Sequence, residues 1–161
     1  MPVQTTYTTT HSALFAGMVN TFQPHNLVSK LNKGVNVLPY GKGLVSDGVD
    51  GAKLPESSST ADKFVGVAMY EINRAQKEGD VAGGVPKQEL TACPFGVVAV
   101  KTLVTVTKDD PVYLRVGATN PGDFSNVVGS GATLGVLIPN AKFVTNGAAN
   151  SIVQVSFGIG G

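Results

Sequence analysis

The sequence has few of the side chains on which catalytic and metal sites depend. Its 161 residues include no tryptophan, one cysteine and two histidines. One cysteine excludes an internal disulfide, and two histidines with a distant cysteine do not form the clustered ligand set of a zinc site. Cys93 precedes Pro94 in an apolar stretch, and no base is placed to activate it, so we expect a small buried side chain there.

Charge is also scarce. Charged residues make up 14% of the chain, and the formal net charge is +1. The lysines are scattered singly, whereas nucleic-acid binding needs concentrated basic residues, so we expect no direct contact with nucleic acid. A surface with few charges is the kind that a neighbouring subunit in a larger assembly covers.

Long apolar runs are missing as well. No stretch approaches the roughly 20 residues of a membrane helix, so we expect no membrane partner. The apolar piece at residues 13–19 is too short and too poorly flanked for a signal peptide, and the polar start MPVQTTYTTT carries no positive charge. The sequence therefore predicts a protein that is made and kept in the cytoplasm unless it leaves inside a particle.

What the chain does contain is a series of β-rich runs separated by glycine turns. Hydrophobic residues make up 42%, enough for one domain with a real core. The runs, joined by segments rich in Gly, Ser, Asn, Asp and Pro, are residues 35–45, 64–71, 94–116, 133–144 and 151–157. Short strands at this spacing predict an all-β fold: a compact antiparallel barrel or sandwich-like module, with an extended amino-terminal arm.

Strand limits follow from the alternation. Residues 97–107 form the clearest predicted strand, and the short turn before Pro111 favours an antiparallel pair with residues 112–116. Residues 133–138 and 141–144 are predicted as two strands separated by Pro139-Asn140. The first half of residues 64–72 is predicted as strand. Core positions are expected at Val98, Val100, Val104, Val106, Val153, Val155 and Phe157.

The amino-terminal part has weaker patterns. Residues 12–31 predict irregular chain with at most one helical turn, because Gly17 and Pro24 interrupt the helical spacing. We therefore divide the chain into an arm, residues 1–34, and a single β domain, residues 35–161. The threonine segment, Thr5–Thr10, is β-prone but cannot bury enough surface to fold alone, so it is either a strand that orders against a partner or a disordered tail.

No motif indicates an enzyme or a cofactor. Asp47 and Asp50 do not match a calcium loop, and Asp109 and Asp110 are better explained as turn residues than as a pair of acid/base carboxylates. The glycines around Lys42 lack the rest of a phosphate-binding loop, and no nucleophile elbow occurs.

The order of the runs resembles the structural cement, or head decoration, proteins of tailed double-stranded DNA bacteriophages. The matching pieces, in order, are LPYGKGLV, FVGVAMYE, PFGVVAVK, DDPVYLRV and the stretch from GATLGVLIPNAKFV to SIVQVSF. They span roughly residues 35–157. Asp109 departs from the pattern, since the family often has glycine before its Asp-Pro-Val-Tyr, and residues 17–26 match only loosely.

The resemblance implies a structural protein of the virion without enzymatic activity. It implies a small β-barrel or β-tulip-like module, usually a homotrimer, that binds the major capsid protein on the outer head surface at three-fold positions and bridges neighbouring capsomers. We expect the contact with capsid or a neighbouring subunit to come from Thr5, Thr6, Tyr7, Thr8, Thr9, Thr10, Leu14 and Phe15. The alternatives are a carbohydrate- or receptor-binding module, against which the scarcity of aromatics counts, and a hydrolase with an unrecognised site.

Overall fold

A computed structural model of the chain describes residues 14–20, 22–71 and 81–158. Eleven strands lie in these ranges: β1 (Asn26–Asn32), β2 (Leu38–Pro39), β3 (Gly43–Asp47), β4 (Gly51–Lys53), β5 (Phe64–Ala68), β6 (Gly83–Gly84), β7 (Glu89–Lys101), β8 (Pro111–Arg115), β9 (Phe124–Ser125), β10 (Gly135–Phe143) and β11 (Ile152–Phe157). Two single-turn 3-10 helices, Ala61–Lys63 and Gly131–Thr133, are the only helical elements of the described ranges. The fold is therefore all-β, as predicted.

Five strands close into a small barrel in the order β1-β4-β3-β5-β7, with β7 pairing back onto β1. Each strand contributes at least one apolar side chain to the same cluster. Most members are small, which suits the narrow interior of a five-stranded barrel. The cluster comprises Val28, Leu38, Leu44, Ala52, Leu54, Val65, Ala68, Leu90 and Ala92.

A second sheet grows from the carboxyl half of the long strand β7 and continues through β11, β10, β8 and β9. The register between β1 and β7 shifts near Phe95, which is the signature of a β-bulge. Leu90 and Ala92 precede this bulge and join the barrel cluster, whereas Val98 and Val100 follow it and join the larger core between barrel and second sheet. β7 therefore belongs to both the barrel and the second sheet.

Two glycines make the bulges possible. Gly66 in β5 has φ of 126°, and Gly96 in β7 has φ of 139°, values that side chains rarely adopt. A Cβ on Gly66 would lie 2.6 Å from the carbonyl carbon of Cys93, so the strands also meet too closely there for any side chain. The Phe-x-Gly-Val and Phe-Gly-Val sequences therefore mark bent strands.

The expectation of irregular chain over residues 12–31 is wrong for β1. Asn26–Asn32 pairs in parallel with β4 and antiparallel with β7, and so completes the barrel. The strand is hard to recognise in the sequence because one face of β1 is exposed and carries polar residues, and because Pro24 lies two residues before its start. The predicted boundary at residues 34–35 therefore cuts through the barrel.

Two strand predictions are also corrected. The clearest strand is Glu89–Lys101 rather than residues 97–107, and it does not form a hairpin with β8, whose partners are β9 and β10. After Lys101 the chain turns away and makes only isolated bridges at Thr102 and Val106. The predicted pair around Pro139 is a single strand, β10, with an irregularity that absorbs Pro139 and Asn140. Of the expected core positions, all are buried in the larger core except Val104, which is half-buried against it.

Candidate docking surface

The described residues hold no cluster of three or more His, Cys, Asp or Glu side chains that could bind a metal ion. Asp110 accepts hydrogen bonds from the backbone N–H and hydroxyl of Thr107, both at 2.9 Å, and from Asn126 Nδ2 at 2.7 Å. The Thr107 backbone hydrogen bond, followed by the Asn126 amide, lowers the pKa of Asp110. This carboxylate shapes the turn before Pro111, as the sequence indicates.

Cys93 is fully buried, and its thiol donates to the carbonyl of Phe95 at 3.1 Å. Burial raises the pKa of the thiol, which opposes formation of the reactive thiolate. The side chain packs in the larger core beside Gly96. Its position is that of a small apolar side chain.

The described chain begins with a strap, residues 14–20, that joins the two sheets. Gly17 N–H donates to Ala99 O at 2.7 Å and Ala99 N–H to Met18 O at 2.8 Å, so the strap is an added edge on β7. On its other side, Gly17 O accepts from Tyr70 N–H at 3.0 Å. A Cβ on Gly17 would lie 2.6 Å from Ala68 O, which explains why only glycine fits at this crossing.

Aromatic rings extend the strap along the barrel surface. The ring of Phe15 stacks on that of Tyr70 with centroids 5.5 Å apart, and Tyr70 meets Tyr40 edge-on at 5.4 Å. Tyr40 directly follows β2. The contacts lead from the strap to the end of the barrel that β2 covers.

Large apolar side chains are exposed along the strap and the turn after it. Leu14, Phe15 and Met18 are each more than one third exposed, and Phe22 is 99% exposed. Four exposed apolar side chains within residues 14–22 are a concentration typical of protein–protein contacts. Phe22 was not among the predicted site residues; its one sequence signal is its place in a polar turn ahead of Pro24.

The predicted contact residues fall into two groups. Thr5, Thr6, Tyr7, Thr8, Thr9 and Thr10 lie outside the described residues. Leu14 and Phe15 lie at the amino end of the strap, where their side chains are exposed and Phe15 is held by Tyr70. Their role as a contact remains a prediction.

Comparison with known proteins gives a match over nearly the whole chain. A family model described as structural cement protein (E217 gp24/Pam3 gp6) matches residues 3–158. The chain belongs to the phage structural cement protein family. Family membership assigns it a structural, capsid-stabilising role and a place on the capsid of the virion.

The fold of this cement family member is similar to that of a chain in a solved phage capsid structure. A chain from the structure titled "The capsid of Myoviridae Phage XM1" has a TM-score of 0.73, 22% sequence identity, and 97% coverage of both chains. The comparison with curated proteins gives no match. Within the described ranges, no helix is long and apolar enough to span a membrane. A structural family favours the cement role over the carbohydrate-binding and hydrolase alternatives.

Proposed function

We propose that this cement protein binds the outer face of the phage head as a trimer at three-fold positions and bridges neighbouring capsomers. The strap and the threonine segment ahead of it make the contact with major capsid protein or with a neighbouring subunit. The observation that carries the proposal is the concentration of exposed apolar side chains at Leu14, Phe15, Met18 and Phe22.

Bridging stabilises a shell by mass action. A protein that binds the assembled lattice but not the separated capsomers shifts the equilibrium towards the shell. A trimer contributes three linked contacts, so modest affinity at each strap is multiplied by effective concentration. No reactive side chain is needed for this role.

The test combines the mass of the free protein with its binding to empty heads. Light scattering coupled to size exclusion should give about three times the 16.5 kDa chain mass. Co-sedimentation should show saturable binding, and coated heads should release capsomers at a higher temperature than bare heads. A monomeric protein, or heads that disassemble at an unchanged temperature, would contradict the proposal.

A double variant, Phe15→Ser with Phe22→Ser, tests the contact itself. It should weaken head binding by at least about tenfold, since exposed aromatic anchors typically contribute about 1–2 kcal/mol each. Val127→Ser with Val128→Ser is the control double variant, because both are exposed apolar side chains just after β9, in the second sheet's half of the molecule. Equal loss in both variants would argue against the strap as the contact.

A further inference from the structure

A groove opens beside β2 at one end of the barrel. One wall is formed by residues 34–38 and the other by residues 53–56, and they enclose a volume of about 330 Å³. It forms because β1 and β4 pair only as far as Asn32 and Ala52 and then separate. The buried side-chain amide of Asn32 fixes the turn of the chain away from β4, because it donates to Asn36 O at 2.8 Å and to Gly84 O at 3.0 Å.

The walls of this groove suit an extended, uncharged peptide. Val37, Leu38, Leu54 and Pro55 line it, and Val35 stands 82% exposed at the rim. Among the described residues, the backbone N–H groups at positions 35, 36, 37 and 54 have no hydrogen-bond acceptor. The nearest charges, at positions 53 and 56, neutralise each other at 2.7 Å. An added strand with apolar or hydroxyl side chains is therefore the favoured ligand class.

The chain carries such a segment within reach. Thirteen residues precede Leu14, and they include the uncharged, β-branched sequence TTYTTT at Thr5–Thr10. Fully extended, thirteen residues span roughly 45 Å. The ring contacts from Phe15 through Tyr70 lead to Tyr40, which lies two positions after Leu38 in the groove wall. These ring contacts link the strap to the chain segment that forms one wall of the groove, and the preceding segment is long enough to reach it.

We propose that in the free protein the groove holds the threonine segment of its own chain, with the ring of Tyr7 between Val37 and Leu54. An uncharged, β-prone segment left exposed is an aggregation hazard, and pairing it with unused backbone groups removes that hazard before assembly. The inference goes beyond the proposed function: it assigns the segment a second position, occupied until the protein meets a head.

Disulfide trapping in the full-length protein tests the proposal. Thr8→Cys is combined with Val35→Cys at the groove rim, and with Val127→Cys as the control pair. Cys93 stays, because its buried thiol is out of reach of a surface cysteine. A segment held in the groove raises the effective concentration of the thiol introduced at position 8, so the groove pair should form at least about ten times more intramolecular disulfide at low protein concentration. Adding Tyr7→Ala should reduce that yield to the control level.

Two results would overturn the proposal. One is an equal disulfide yield for the groove and control pairs. The other comes from mixing the two single-cysteine variants, Thr8→Cys and Val35→Cys, one of them isotope-labelled. A disulfide between the two copies would show that the groove holds a neighbour's segment. Hydrogen exchange gives an independent readout: deleting residues 1–12 should accelerate exchange at residues 35–37 and 54, and unchanged rates would count against the proposal. These measurements use free protein, so their failure is distinct from a failure to bind heads.

Discussion

At residue scale, one tight constraint on this fold lies where β5 pairs with β7. Gly66→Ala should lower the free energy of unfolding by about 3 kcal/mol or more, because a Cβ there adds a backbone clash to an unfavourable φ. Gly131→Ala is the matched control: its φ is also positive, at 52°, but nothing lies within 4 Å of the added carbon. It should cost only about 1 kcal/mol. Urea unfolding measures the stability of both variants. An equal loss in the two would mean that the contact between β5 and β7 tolerates a side chain at position 66.

Asp110 makes stability depend on pH. Hydrogen bonds from Thr107 and Asn126 favour its charged form, so its pKa is lower in the folded than in the unfolded chain. The contribution is fully present above the unfolded pKa, near pH 4, and is lost as pH falls through the folded value. Asp110→Ala should therefore cost about 1 kcal/mol at pH 7 and progressively less in acid.

The control for this effect is the neighbouring carboxylate. Asp109 has φ of 71°, a conformation that asparagine tolerates well, so Asp109→Asn removes the same charge with little strain. Unfolding followed at several pH values should show a larger acid-dependent loss of stability in wild type and in Asp109→Asn than in Asp110→Ala. A parallel pH profile in all three proteins would contradict the assignment.

At the scale of elements, a buried ion pair fastens the barrel to the second sheet. Lys42, just before β3, lies 2.7 Å from the carboxylate of Asp123, just before β9, and the Asp123 side chain is only 4% exposed. Gly43 N–H also donates to Gly122 O at 2.7 Å. These contacts fix the loop after β8 against the start of β3.

Loss of the Lys42–Asp123 ion pair should destabilise the fold, mainly because one charge is left buried without a partner. Lys42→Met leaves a buried carboxylate without a cation and should lower the free energy of unfolding by about 2–3 kcal/mol. Adding Asp123→Asn removes the stranded charge and should recover part of the loss, which a double-mutant cycle in urea measures. The proposal would be contradicted if Lys42→Met left the free energy of unfolding unchanged, or if the double variant were as unstable as Lys42→Met. Either result would show that the ion pair does not stabilise the contact between the barrel and the second sheet.

At the scale of the whole molecule, the low charge predicts how docking responds to salt. Contacts made by apolar strap residues are screened little by ions, unlike contacts between charged surfaces. The dissociation constant for empty heads should therefore change by less than about threefold between about 0.05 and about 0.5 M NaCl. A steep loss of binding with salt would place the contact on the scattered lysines instead.

Several strands were predictable because local alternation specifies them. Val98, Val100, Val153 and Val155 lie in the core as their period-two pattern indicates, and β11 begins and ends close to its predicted limits. The pairing of β8 was not predictable from its short turn. Its partners are β9, which follows it in the chain, and β10, which lies beyond the loop that carries residues 129–131.

The candidate site was partly predictable. The exposed positions of Leu14 and Phe15 agree with the residues chosen from the sequence, although their role as a contact is untested. Phe22 and the groove beside β2 were missed, since exposure and the separation of two strands are properties of the packed chain.

The sequence alone determined the fold class of this protein: glycine-punctuated, valine-rich runs with little charge make an all-β module. Only the tertiary structure decided that polar Asn26–Asn32 closes a barrel and that one strand, bent at Gly96, belongs to two sheets. The physical reason is that local patterns record which face of a strand is buried, whereas strand partners depend on contacts between residues far apart in the chain.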